Sequence, residues 1–234
     1  MSEPPLKVWI TRAQPGAGAT AVRVRALGHE PFVAPLLSVA PQGRGPIDLA
    51  GVGALAFTSA NGVRAFAARS PERALCVFAV GEATAKAARA TGFAEVLASD
   101  GDVADLAERI AVRRRGLAGE VLHPGAAEPA GDLTGRLRGL GLAARSLAVY
   151  RSEPAAFGPE QAAALGGLDL ALVHSPKAAA ALAEVLAAFP APRLRVLAIS
   201  EAAIRPLAGT PLAGKVFAPR PSEAALLNLI GRRA

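Results

Sequence analysis

Short apolar runs alternate along the chain with Ala-rich stretches of helical periodicity. Runs at residues 6–11, 30–37, 54–58, 75–80, 95–97, 120–123, 143–151, 169–174, 195–199 and 215–218 predict strands, since brief apolar segments bounded by turn residues suit strands buried on both faces. Windows at 19–27, 61–68, 82–90, 102–113 and 176–188 lie between them and predict helices. A strand-then-helix rhythm with loops of about two to six residues marks parallel sheets flanked by helices. The fold class is α/β.

The pattern also repeats. Val8 matches Val121, Arg25 matches Arg138, and Leu27-Gly28 matches Leu140-Gly141, all 113 positions apart. Ser59 matches Ser175 at 116, Gly81-Glu82 corresponds to Ser200-Glu201 at 119, and Val96, Leu106 and Ile110 match Val216, Leu226 and Ile230 at 120. The offset only grows, as it does when insertions fall in loops. Two copies of a βα unit of about 115 residues follow, a length that suits a five-stranded doubly wound domain. Two such sheets predict a ligand cleft between them, lined by the residues just after the strands.

Of the 234 residues 52% are apolar, enough for a substantial core, and the length permits one large domain or two small ones. One cysteine, Cys76, forms no internal disulfide, and no Cys/His spacing suits zinc, which predicts a reducing cytoplasm. The first seven residues carry no basic, apolar leader, and no stretch is apolar enough to span a bilayer, so neither export nor membrane insertion is expected. The net charge of +7, carried by 22 Arg and four Lys, admits nucleic acid, anionic lipid or a polyanionic small molecule, and is equally what an Arg-rich genome produces. Arg113, Arg114 and Arg115 end a helix before Gly116, where cations complement the dipole, and no aromatic residues interleave with basic ones.

Candidate chemistry sits after strands. Ser59, Ala60, Asn61 follow one strand, and Ser175, Pro176, Lys177 follow its counterpart. Ser is a preferred N-cap and Pro suits the first helical position; capping alone explains either site, while the free amides of such helix starts bind carboxylates or phosphates. Gly81 and Thr84, with Ser200 in the other copy, offer close backbone approach and a hydroxyl; Glu82 and Glu201 read as first-turn acids that complement the dipole. Thr11 and Arg12 follow the first strand, and Arg12 is either a surface residue or a bidentate partner for a carboxylate. Gly16, Gly18 and Ala21 match a dinucleotide fingerprint poorly, and no P-loop, nucleophile elbow or zincin motif occurs. Tyr150 is the only tyrosine: packing is one reading, donation of a proton to a leaving oxygen the other. His29, His123 and His174 lack metal spacing and read as structural.

Seven short motifs in order give the chain a family likeness: Val8-Trp-Ile-Thr-Arg12 with Pro15-Gly16, Leu27 through Leu36, Phe57-Thr-Ser-Ala-Asn-Gly-Val63, Val80-Gly-Glu-Ala-Thr84, Val149-Tyr-Arg151, Ser175-Pro176 and Ala218-Pro-Arg-Pro-Ser222. Over nearly its whole length the chain resembles uroporphyrinogen-III synthases. The resemblance implies two flavodoxin-like domains joined by a two-stranded linker with the ligand cleft between them: residues 1–36 with 152–234, and 39–149, with crossings near 37–38 and 150–151. It implies a cytoplasmic, monomeric lyase of heme biosynthesis that closes hydroxymethylbilane, a linear tetrapyrrole with eight carboxylates, to uroporphyrinogen III with loss of water and inversion of the terminal ring. It further implies no metal or organic cofactor, no nucleic-acid or membrane partner, and leaves open a transient contact with hydroxymethylbilane synthase. Tyr150 matches the family's implicated tyrosine. Substrate would be held by Thr11, Arg12, Ser59, Ala60, Asn61, Gly81, Thr84, Ser175, Pro176, Lys177 and Ser200. The chain departs from the family where Ser200-Glu-Ala-Ala203 replaces Gly-Pro-Thr-Thr, and where His123-Pro124-Gly125 replaces an Arg-Gly pair, so one domain would hold carboxylates more by backbone than by side chains. A non-catalytic two-lobed anion-binding protein and an inactive regulatory homologue are the alternatives.

Overall fold

The structure, a computed structural model, describes residues 4–99 and 102–231; residues 1–3 and 232–234, the outer ends of the first expected domain, lie outside the described residues. In chain order the first elements are β1 (Lys7–Ile10), α1 (Gly16–Ala26), β2 (Glu30–Val33), β3 (Leu37–Pro41), β4 (Val52–Phe57), α2 (Ala60–Ala67), β5 (Cys76–Val80), α3 (Gly81–Ala90), β6 (Val96–Ser99) and α4 (Val103–Val112). They are followed by β7 (Glu120–Ala126), α5 (Leu133–Gly139), β8 (Ala144–Pro154), α6 (Pro159–Ala164), β9 (Leu170–Val173), α7 (Pro176–Ala188), β10 (Arg195–Ala198), α8 (Glu201–Ile204), β11 (Gly214–Phe217) and α9 (Glu223–Leu227). The run expected as one strand at 30–37 is two. Pro35 has no N–H to give a ladder, Leu36 donates instead to the Thr11 carbonyl (2.9 Å), and the chain leaves one sheet for the other.

The chain divides into two compact units, one formed by the residues up to Ser38 and from Glu153 on, the other by Val39–Ser152. The sheet of the first has the order β11-β10-β9-β1-β2, parallel throughout. Residues alternate sides along β1 as the pleat requires: Val8 and Ile10 pack with Ala21 and Val24 of α1 and Leu226 of α9, while Trp9 packs with Leu182 of α7 on the opposite face. Trp9 is fully buried, and its indole N–H donates to the Ala34 carbonyl at 2.7 Å.

The sheet of the second unit has the order β3-β8-β7-β4-β5-β6, parallel from β8 to β6. Edge strand β3 runs antiparallel to β8, since Ala155 N–H donates to the Leu36 carbonyl and Gln42 N–H to the Val149 carbonyl. Leu55 and Phe57 of β4 meet Val63 and Phe66 of α2 on one face; Ala54 and Ala56 meet Leu106 and Ile110 of α4 on the other. Burial on both faces explains why β4 reads as an unbroken apolar run.

Neighbour for neighbour, β8-β7-β4-β5-β6 has the arrangement of β2-β1-β9-β10-β11. The sequence repeat pairs the same elements. Leu27 and Leu140 each close a helix, and the glycines after them, Gly28 and Gly141, take the left-handed φ values of 82° and 79° that end helices without a Cβ clash. Neither copy forms a sheet of its own. The five-stranded sheet takes two strands from the first copy and three from the second, and the six-stranded sheet takes four from the first and two from the second, so the strands of the two copies are mixed in each.

Candidate functional site

In a doubly wound sheet ligands bind beyond the carboxyl ends of the strands, where the strand order reverses. That point lies between β4 and β7 in the second unit and between β1 and β9 in the first.

At the β4–β7 point the chain leaves Phe57 and makes a helix start. Ser59, in extended conformation, caps α2, its Oγ accepting from Gly62 N–H at 3.1 Å. The amides of Ala60 and Asn61 have no partner among the described residues. Gly62 allows the close packing of this turn on β7, for a Cβ there would lie 2.6 Å from the Pro124 carbonyl oxygen. Tyr150 stands in β8 opposite Ala126, at the carboxyl end of β7. It is buried, and its phenol hydrogen-bonds Ser59 Oγ at 2.9 Å. With Ser59 O–H donating to the phenol oxygen, the Tyr150 hydrogen is left to be given to a third group. Beside them Thr58 Oγ1 meets His123 Nε2 at 3.1 Å, and burial pushes His123 down to about 4, so the ring is neutral at pH 7. Gly81, the first residue of α3, has φ +71°, a conformation glycine adopts freely. Thr84 is buried.

At the β1–β9 point Thr11 is wholly buried and its hydroxyl donates to the Leu172 carbonyl at 2.7 Å. Thr11 and Thr84, both expected to hold substrate, are therefore interior residues of their units. Arg12 lies at the surface edge of a polar cluster. Its Nη1 is 3.0 Å from Glu223 Oε2 and 3.4 Å from Thr20 Oγ1. Glu223 also accepts from Thr20 at 2.5 Å and contacts His174 Nε2 at 2.9 Å. Burial would raise the Glu223 carboxyl, but its hydrogen bond and charge interaction with His174, its hydrogen bond with Thr20 and the charge of Arg12 hold it at about 2. Burial lowers His174, and its Nε2–H donates to that carboxylate, which can only accept. Ser175 caps α7 through Ala178 N–H at 3.1 Å, the same length as the Ser59 cap, with Pro176 at the first helical position and Lys177 exposed. Ser200 caps α8 through Ala203 N–H at 3.3 Å, and Ala203 is buried.

The structure thus gathers Ser59, Ala60, Asn61 and Tyr150 in one unit and Arg12 with the Ser175 turn in the other, with Gly81 and Ser200 one strand further along each sheet. Nothing in the sequence marks Thr20, Thr58 or Glu223 as site residues, and the spacing of His123 and His174 points only to structural roles. Glu223 looks like one more first-turn acid after the Ser222 cap; its partners Arg12 and Thr20 are 211 and 203 positions away. A cavity of about 440 Å³ in the first unit, lined by Lys7, Glu30, Phe32 and Leu168 among others, lies at the starting ends of β1 and β2 and is not at this edge. Among the described residues no group of three or more His, Cys, Asp or Glu is arranged to hold a metal ion, and no helix is long and apolar enough to cross a membrane.

The family model described as uroporphyrinogen-III synthase HemD matches residues 18–228. No curated protein gives a significant match. Among solved structures, uroporphyrinogen-III synthetase from Helicobacter pylori is 19% identical over 96% of this chain and 97% of its own, with a TM-score of 0.64. A mutant uroporphyrinogen III synthase from the extremely thermophilic bacterium Thermus thermophilus is 16% identical over 96% of each chain, with a TM-score of 0.50. At these identities the two structures speak for the fold.

Proposed function

The chain belongs to the uroporphyrinogen-III synthase family, enzymes of heme biosynthesis, and from that premise we propose that it acts as a dehydrating, ring-closing lyase in which Tyr150 is the proton donor. Its substrate is hydroxymethylbilane. The hydroxyl of the terminal hydroxymethyl group departs as water when a proton reaches its oxygen, and the C–O bond breaks to leave the methylene carbon as an azafulvene cation. The substituted carbon of the last pyrrole attacks that cation to give a spiro intermediate, and rearrangement and closure invert the ring. The bilane closes unaided to the uninverted isomer, so the enzyme's larger task is to hold one curled conformation.

The observation that carries the assignment of Tyr150 is its hydrogen bond to Ser59, itself held by Gly62 N–H. As the phenol gives its proton to the leaving oxygen, Ser59 donates to the negative charge left behind. Carboxylate side chains of the bilane go to the amides of Ala60 and Asn61, to Gly81, to the Ser175-Pro176-Lys177 turn, to Ser200 and to Arg12. A net charge of +7 aids capture of this polyanion.

The test is the isomer of the product. Freshly made hydroxymethylbilane should yield the III isomer, scored after oxidation to porphyrin; only the I isomer at the spontaneous rate would refute the activity. Tyr150→Phe should lower kcat by about 100-fold, the lower range for general acid catalysis, with KM and the unfolding midpoint little changed. Wild-type turnover in this variant would reduce Tyr150 to packing.

A further inference from the structure

Glu223 is a half-buried carboxylate that the reaction above does not use. It is held by three donors from three separate elements: Thr20 of α1, Arg12 after β1 and His174 after β9. Glu82, Glu120 and Glu201 each pair with one arginine, whereas Glu223 joins an arginine, a histidine and a hydroxyl. What this does to Arg12 is specific. The guanidinium is engaged only through Nη1, and its Nε and Nη2 have no partner among the described residues. Those two N–H groups form the side of the fork that takes a carboxylate bidentately. The same edge lies over Gly16, where a Cβ would come within 2.6 Å of Nε and 2.9 Å of Nη2. Arg12 is therefore fixed from two directions, by a carboxylate that pulls on Nη1 and by a residue whose missing side chain leaves room for the rest. A solvated surface arginine needs neither.

We propose that Glu223, braced by Thr20 and His174, is a positioning residue that presents the Nε/Nη2 edge of Arg12 to one carboxylate of the linear tetrapyrrole, and that Gly16 is required for the same placement. This rests on the function proposed above. Glu223 does not touch substrate; it acts through Arg12. The brace suits an anion site because the three donors stabilise Glu223 as a carboxylate, and a carboxylate paired at one corner of the guanidinium leaves the opposite edge cationic. His174 supplies one further hydrogen bond, to the same carboxylate oxygen that Arg12 engages. Thr20, buried in α1, fixes the other carboxylate oxygen and with it the plane of the pair.

Steady-state kinetics on hydroxymethylbilane, with unfolding midpoints recorded for every variant, tests the proposal. Arg12→Ala should raise KM by about tenfold, the effect of one charge-assisted bidentate pair, and leave kcat within about twofold. Glu223→Gln should raise KM severalfold in the wild-type background and not at all when combined with Arg12→Ala, because a residue that acts through another has nothing left to position. Gly16→Ala should reproduce the KM effect while the trio of Glu223, Thr20 and His174 stays intact. It is the control should Glu223→Gln unfold, since the atoms its Cβ meets are the far end of a flexible side chain. An increase in KM from Glu223→Gln that persists at full size in the Arg12→Ala background, or unchanged KM in Gly16→Ala, would overturn the proposal with the synthase activity still standing. A wild-type protein that makes no III isomer would overturn both.

Discussion

His123 offers a quantitative check on the second unit. It is 3% exposed, its Nε2 meets Thr58, and burial holds its pKa at about 4 against an ordinary 6.5. Between those values the unfolded chain binds a proton that the folded unit refuses, so stability is complete above pH 6.5 and falls as the pH drops toward 4. At about 1.4 kcal/mol for each tenfold difference in proton affinity, the loss amounts to about 3 kcal/mol, a large fraction of a small domain's stability. His123→Gln keeps a polar group near Thr58 and cannot titrate. The two units carry separate probes: the only tryptophan, Trp9, belongs to the first and the only tyrosine, Tyr150, to the second. Urea unfolding followed by tyrosine difference absorbance should show the wild-type second unit losing about 3 kcal/mol relative to the Gln variant from pH 7 to pH 4. The Trp9 signal, which reports the first unit, should be the same in both proteins. Parallel pH curves for wild type and variant in the tyrosine signal would mean that His123 is not held neutral by burial, and the reasoning would fail.

Ser59→Ala removes a cap and should cost the second unit about 1 kcal/mol by urea titration; it should also slow turnover, though less than Tyr150→Phe, because the phenol keeps its proton but loses its donor. Gly62→Ala should destabilise by about 1–3 kcal/mol, since the new Cβ meets the Pro124 backbone, which cannot swing aside as Arg12 can for Gly16→Ala. A fragment of residues 39–152 contains β4 to β7 whole, most of β8 and both helical layers of one doubly wound sheet, so it should give a cooperative thermal transition by circular dichroism. A fragment of residues 153–234 lacks β1 and β2 and should not.

The α/β class was legible because buried parallel strands and their covering helices differ in apolar period and length, and both signals are local. Caps were legible for the same reason: Ser59, Ser175 and Ser200 each bond an amide three residues on, within one turn of chain. The hydroxyls of Thr11 and Thr84 were not, because a threonine after a strand reads alike whether it turns inward or outward. The break in the 30–37 run turned on a single missing N–H at Pro35, in a segment whose hydropathy gives no hint of a change of sheet.

The repeat, most of the elements and the positions at strand ends where chemistry belongs are written along the chain, since all of these depend on residues close together or on internal comparison. Which copy's strands lie side by side was settled by folding, which mixed them in both sheets. The same folding brought Glu223 to Arg12, Thr20 and His174, and Tyr150 to Ser59. Pairings between residues so far apart are set by strand order, a property of the assembled sheets that no local pattern of hydrophobic and polar residues encodes.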